Sequence, residues 1–369
     1  MIVGIDTRIP VKNKTGIGYL LENTIPTLVG LDKENSYKLL GDSFGIDKSD
    51  RVSLYVFQKM IQRGINFLWK NFNFPSVNYF IGKTDIFFFT NFVSFPCMAR
   101  KKILLIPDLS FVYYPQFIEK KNLRFLKKNI KKSIDRADKI ITISESVKKE
   151  IVDNYKIDEN RIDVMYLGAP QNVVKIDNKD DVENVKNKYK ISGKYILFVG
   201  TIEPRKNIKG IIEGYNLLSE NIKKEFSLVL CGGKGWGYDE VFELANKYKL
   251  EDNIVFTDYI DKKDISYIYS GASLFFFPSF YEGFGMPILE AFTCGVPVLT
   301  AKNSSLSEVG GNAVLYCDCN DYVSMKSNIE KVILSDNISR EMIKRGYEQL
   351  KKFSWDKSVE VMINNINKN

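Results

Sequence analysis

Short apolar runs rich in β-branched and aromatic residues alternate with charged stretches of helical spacing, and they do so in two successive series along the chain. A chain built this way forms parallel sheets covered by helices, so the pattern predicts an α/β protein. In the first series the predicted strands are 2–5, 86–89, 102–106, 139–143 and 162–167. Helices are predicted over 18–28, where Pro26 is expected to kink the helix or end it early, over 120–137, and from Ser144 with Glu145 in its first turn. Residues 173–190 are polar and charged without a strand signal, and read as a linker followed by an exposed helix. The second series has predicted strands 195–199, 227–230, 253–256, 272–277 and 296–300, with helices over 207–218, 238–248, 262–270 and 286–294. Each series opens on a buried strand running into a glycine-containing loop. At 369 residues more than one core is expected. The reading is two Rossmann-like domains, residues 1–172 and 185–352, facing across a cleft with the ligand at the C-terminal ends of the strands.

What the chain lacks narrows its chemistry. It has no histidine, which removes the usual general base, the usual zinc ligand and every Ser-His-Asp or Cys-His device. Chemistry must then run on carboxylates, cations and backbone dipoles. Cys97, Cys231, Cys294, Cys317 and Cys319 form an odd, scattered set, which reads as reduced cytosolic thiols. Cys317 and Cys319 are too close-set for a structural zinc site. No apolar run is long enough for a spanning helix, and residues 1–10 lack the basic start of a signal peptide and read as a first buried strand. A cytoplasmic location is expected. The net charge of +8 points to anionic partners. Nucleic acid is not expected among them, because no binding module accompanies the charge.

Three segments carry the candidate chemistry. Residues 196–207, ILFVGTIEPRKN, read as strand, turn at Gly200, then a helix start where Arg205 and Lys206 stand. Cations beside free N–H groups make an anion site. The alternative is a solvated turn. A second turn, CGGKGWG over 231–237, brings Lys234 to the end of the next strand. In the third segment Glu282 lies in the turn after a strand, and Glu290 falls about one turn inside a helix that Pro287 suits at its start. Both carboxylates can then face one ligand lying over the helix N-terminus. Gly283 and Gly285 let the backbone come close to phosphate. Carboxylates suit vicinal hydroxyls, so the set fits a nucleotide-sugar. A capped helix with a surface glutamate is the other reading of the same spacing.

The pattern Glu282…Glu290 in PSFYEGFGMPILEAFTCGVPVL (278–299) resembles the retaining glycosyltransferases of family 4, which have the GT-B fold. VGTIEPRKNI (199–208), IITISESVKKEI (140–151), GNAVLY (311–316), FSWDKS (353–358) and TGIG (15–18) also look like segments of that family. The wording LVLCGGKGW and PRKN is similar to mannosyltransferases of surface-polysaccharide synthesis. The resemblance implies that Glu290 holds the donor ribose and Glu282 the hydroxyls of the transferred sugar. Backbone N–H groups of Phe284, Gly285 and Met286 would meet sugar and phosphate, with Gly283, Gly200 and Lys234 also on the donor side. Arg205 and Lys206 would neutralise the leaving pyrophosphate. Gly16 and Gly18 would let the first domain close on donor phosphate and acceptor. FSWDKS would open a last helix, 353–369, that crosses back onto the first domain. No metal is implied.

The chain departs from that family where histidines are common: Phe88 and Pro107 stand at those places, and Asp108 is the best remaining carboxylate on the acceptor side. That departure motivates a second reading, a catalytically weakened sugar-nucleotide-binding subunit supporting a partner transferase. Gly82-Lys83-Thr84 is similar to a P-loop but lacks its first glycine, where Val77 stands. Gly16-Ile17-Gly18 is similar to a dinucleotide fingerprint but has Leu21 at the third glycine position. For the acceptor, residues 118–133 set seven cations against Glu119, with Ile118, Leu123, Leu126 and Ile130 near helical spacing. A basic amphipathic helix can lie on an anionic membrane, which suits a lipid-linked glycan acceptor. A solvated outer helix covering the sheet is the alternative. Residues 60–75, MIQRGINFLWKNFNFP, are a second membrane candidate.

Overall fold

The structure is a computed structural model and describes residues 1–8 and 16–368. The chain divides into two compact units, Met1–Gly168 with Ser354–Asn369, and Ala169–Phe353.

The first unit is built on seven strands: β1 (Ile2–Thr7), β2 (Ser36–Gly41), β3 (Val52–Tyr55), β4 (Ile86–Phe89), β5 (Lys101–Leu105), β6 (Lys139–Thr142) and β7 (Ile162–Val164). Their order is β3-β2-β1-β4-β5-β6-β7, and every pair is parallel. Numbering therefore runs outward in both directions from β1 and β4, the switch point where such sheets bind ligands. β2 and β3 were not among the predicted strands. β3 is a four-residue edge strand, and β2, though paired on both sides, mixes Ser, Tyr and Lys with its apolar residues, so the apolar run is broken. Pro26 does not end its helix, which runs over Gly16–Leu31. Proline withholds its amide donor and crowds the carbonyl of Glu22, and packing outweighs that cost: Ile25 and Leu28 on either side have no exposed surface. Of the TGIG segment, Thr15 lies outside the described residues. Gly16 and Gly18 form the first turn of this helix rather than a loop.

The last helix, Trp355–Asn367, belongs to the first unit. Its Trp355 ring meets Tyr19 edge-on at 5.9 Å between centroids. A Cβ on Gly168 would overlap Trp355, so glycine is what lets the chain pass beneath the indole. The Ser358 hydroxyl donates to the Tyr166 carbonyl.

The second unit has six strands: β8 (Lys194–Val199), β9 (Phe226–Cys231), β10 (Ile254–Asp258), β11 (Leu274–Phe277), β12 (Val298–Ala301) and β13 (Leu315–Cys317). The order is β10-β9-β8-β11-β12-β13, again all parallel, with the switch point between β8 and β11. All four residues of β11, LFFF, are buried, as expected of a strand covered on both faces. β13 was missed as a strand because it is three residues long at the sheet edge. Residues 173–190 are not a linker. Val173 is buried, and the Val174 and Ile176 amides donate to the hydroxyls of Ser266 (3.2 Å) and Ser270 (2.9 Å). The helix Lys179–Lys188, capped by the Asn178 side chain, is tied to the unit by Lys188, 2.5 Å from Asp264. Backbone amides of this stretch find their acceptors only in the folded unit, a feature that polar composition does not reveal.

Candidate active site

Three loops at the C-terminal ends of β8, β11 and β12 form the site. After β8 the chain turns at Gly200, whose φ of +152° favours glycine. It then makes a single 3₁₀ turn over Pro204–Lys206. Asn207 follows in the left-handed region and caps the helix Ile208–Asn216, accepting from the Gly210 amide at 3.2 Å. The turn presents Arg205 and Lys206 toward the loop after β11. The Glu282 carboxylate receives both: Lys206 Nζ lies 2.5 Å from one oxygen and Arg205 Nη1 3.0 Å from the other. Arg205 is fixed further by Glu203, at 2.7 Å, and by the Tyr281 carbonyl, at 2.8 Å. Lys206 also stands 5.0 Å from the Phe277 ring centroid, a cation–π contact.

The loop carrying Glu282 is held from both sides. The Phe280 amide donates to the Arg205 carbonyl at 2.9 Å, and the Glu282 amide to the Ser304 hydroxyl at 3.1 Å. The Ser305 hydroxyl lies 2.8 Å from the Glu282 carbonyl and 2.7 Å from that of Phe284. Phe284 is buried edge-on against Phe353, 5.6 Å between centroids.

Glu282 is only 8% exposed. Burial alone would raise its pKa, but Arg205 and Lys206 overcome it and hold the carboxyl down at about 2. Lys206 is pulled below the ordinary lysine value by its own burial, with Arg205 adding repulsion and Glu282 opposing both. With Glu203 paired to Arg205, the cluster sets two cations against two carboxylates.

Gly285, φ +117°, caps the helix Met286–Thr293, with Pro287 in its first turn. Glu290, in the second turn, is not part of the ion cluster. It accepts a hydrogen bond from the Tyr269 hydroxyl at 2.7 Å, and burial pushes its pKa above the carboxylate norm, against that bond. Lys234 is exposed with its ammonium 4.7 Å from the Tyr238 ring centroid, and takes no part in the cluster. The turn that carries it packs against the Gly200 turn: Gly200 donates to the Cys231 carbonyl at 2.8 Å, Ile202 to the Gly233 carbonyl at 3.0 Å. Sequence reasoning missed Glu203, Tyr269, Ser304 and Ser305. Glu203 stands two residues from Arg205 and was legible as its brace. Tyr269 lies 21 residues upstream of Glu290, and no local signal marks it.

In the first unit Asp108 follows β5 and accepts from the Ser110 amide (2.8 Å) and hydroxyl (2.6 Å), anchoring the short helix Ser110–Tyr113. Phe88 and Pro107 are buried. An added Cβ on Gly16 meets no atom within 4 Å. The basic helix spans Lys120–Arg136 and turns Ile130 and Ile134 into the core, with Leu123 and Leu126 packed against it. Leu126 is thus partly buried against the core. Among the described residues no three His, Cys, Asp or Glu side chains are grouped as metal ligands would be, and no helix is long and apolar enough to cross a membrane.

Two Rossmann-type units, one of them with a cation–carboxylate cluster at its switch point, define the GT-B class. HepE of Anabaena, solved in complex with UDP and glucose, superimposes with a TM-score of 0.73 at 15% identity, covering 99% of each chain. The chain belongs to the glycosyl transferases group 1 family. The family model matches residues 180–349. The O-antigen chain mannosyltransferase B of Escherichia coli is 33% identical over 270 residues, 73% of this chain and 71% of that one. The serotype-specific mannosyltransferase WbdA of Escherichia coli is 30% identical over 245 residues, 66% of this chain but only 30% of WbdA.

Proposed function

We propose that this glycosyltransferase moves a hexose, mannose in the first instance, from a nucleoside diphosphate sugar to a lipid-linked glycan acceptor in the synthesis of a surface polysaccharide, with retention at the anomeric carbon. The observation that carries the reading is the placement of Arg205, Lys206 and Glu282 on loops after β8 and β11, on either side of the switch point. Relatives named as O-antigen mannosyltransferases support the sugar and the setting, and the UDP and glucose of HepE support a nucleotide-sugar donor.

In this reading Glu290 binds the donor ribose, and backbone amides from Phe284 to Met286 receive sugar and phosphate. Arg205 and Lys206 meet the diphosphate as it leaves. Glu282 fixes those cations and offers its remaining lone pairs to sugar hydroxyls. The bond from the anomeric carbon to the diphosphate breaks, and the acceptor oxygen bonds to that carbon on the same face. Its proton passes to the departing diphosphate oxygen. Such a step needs charge stabilisation more than a protein base, which fits a chain without histidine and requires no metal. Asp108 orients the acceptor, and the enzyme works at the cytoplasmic face of the membrane.

The test is sugar transfer from a panel of nucleotide-sugars. Replacing Arg205 and Lys206 with Ala should lower kcat by about a hundredfold or more, because the interaction strengthens as charge develops. Unchanged kinetics in that double variant would remove the assignment. Donor binding without turnover in the wild-type protein would favour the other reading, a binding subunit for a partner transferase, which buried Phe88 and Pro107 motivate.

A further inference from the structure

A cavity of about 490 Å³ opens in the first unit at the β1/β4 switch point, distant in sequence from the ion cluster. Asp6 and Arg8 line it from the end of β1, and Thr90 and Asn91 from the end of β4. One wall is the basic helix, which contributes Lys121, Phe125, Lys128, Lys132 and Arg136, residues three to four apart along one face. The opposite wall is the helix Lys59–Phe72, which contributes Gln62, Asn66 and Trp69.

The charges do not cancel. Five cations line the cavity against the single carboxylate of Asp6. That carboxylate is already used: Arg8 grips it through two bonds, Nε at 2.7 Å and Nη2 at 2.9 Å. The Arg8 guanidinium is locked further, 3.2 Å from Asn66 Oδ1 and 4.7 and 4.6 Å from the ring centroids of Trp69 and Phe95. Arg136 donates to Asn73 Oδ1 at 2.9 Å, a neutral partner. No described carboxylate pairs with Lys121, Lys128 or Lys132, whereas Lys131, off this face, is paired with Asp135. Three lysines and an arginine therefore converge on a walled space whose other polar groups are mostly amides, the donors and acceptors that sugar hydroxyls use.

We propose that this cavity binds the phosphate or pyrophosphate of a phosphorylated sugar. Uncompensated cations favour an anion held among them, and the volume admits a sugar-phosphate head. That this ligand is the acceptor rests on the transferase reading above; the anion site does not. The same phosphate chemistry has two sources, a lipid-linked pyrophosphate or a free sugar phosphate.

Trp69 lines the cavity, so its fluorescence reports on occupancy. Titration of the full-length protein with inorganic pyrophosphate and with farnesyl pyrophosphate should change the emission, and Trp69→Phe should abolish the response. Lys128→Glu with Lys132→Glu should weaken both ligands tenfold or more, and the milder Lys128→Gln with Lys132→Gln should weaken them less. Lys120→Glu with Lys127→Glu, the same charge change away from the cavity, should alter affinity by under twofold. Farnesyl pyrophosphate at least tenfold tighter than pyrophosphate supports the lipid-linked source, and equal affinities support a free phosphate. An unchanged response in the Lys128/Lys132 variants, or one lost on replacing Arg205 and Lys206 with Ala, overturns the site. Absent sugar transfer with a Lys128-dependent response would defeat the transferase reading and leave the anion site standing.

Discussion

Glu282 shows how far one buried carboxylate can be shifted by its partners. Its folded pKa of about 2 lies below the ordinary 4.5, so the cluster stabilises the fold fully above about pH 4.5. That contribution is lost as the pH falls toward 2. Glu282→Gln leaves Lys206 buried without its counter-charge, while Arg205 keeps Glu203, and should cost on the order of 3 kcal/mol at pH 7. Urea denaturation should show the gap between wild type and variant shrinking as the pH drops from 5 to 3; a constant gap would mean that Glu282 acts by packing instead. Glu290 is shifted the other way: burial raises its pKa, and the Tyr269 hydroxyl lowers it. If its ionised form binds ribose hydroxyls, nucleoside diphosphate affinity should increase as the pH rises through mild acid. Glu290→Ala should weaken binding and flatten that profile, and Tyr269→Phe should move it to higher pH. Calorimetric titration across this range is the check.

At the scale of elements, the loops after β8 and β9 depend on two glycine turns packed backbone to backbone. A Cβ on Gly232, which sits at φ +155°, would overlap the carbonyl oxygen of Gly200, while one on Gly233 meets no atom within 4 Å. Gly232→Ala should therefore destabilise by more than about 1 kcal/mol, and Gly233→Ala should stay within about 0.5 kcal/mol. Thermal unfolding of the pair measures the difference, and equal effects would mean that the turns relax apart. The basic helix shows the limit of periodicity. Its apolar residues were legible as one face, but the same pattern serves a lipid-facing helix and a core-facing one. Ile130 and Ile134 are inside, and the lysines then fall into a cavity-lining set and an outer set.

At the scale of the molecule, we propose that the outer cations of the basic helix, with exposed apolar residues of the Lys59–Phe72 helix, engage an anionic membrane. Met60, Phe67 and Phe72 on the second helix are 85%, 60% and 66% exposed, while Lys120, Lys127 and Lys131 are exposed on the first. Each cation contributes roughly 1 kcal/mol near such a surface, screened by salt. Sedimentation with anionic vesicles should fall steeply as salt rises, and again when Lys120, Lys127 and Lys131 become Glu. Equal sedimentation with neutral and anionic vesicles would remove the electrostatic docking. If Arg205 and Lys206 serve the leaving diphosphate in place of a metal, sugar transfer should persist after chelation with EDTA; loss restored by magnesium would contradict that.

The sequence by itself determined the α/β class, the two-fold repetition and the strand ends that carry Arg205, Lys206, Glu282 and Glu290, because central parallel strands must be apolar throughout and their loops must turn at glycine. It did not determine β3 or β13, whose edge positions need fewer apolar residues, or β2, whose Ser and Lys interrupt its apolar residues. The tertiary structure alone decided which charges pair. Glu282 and Lys206 are 76 positions apart and Tyr269 and Glu290 21 apart. Strand order brings each pair together, and strand order is written in the packing of the whole unit rather than in any local stretch.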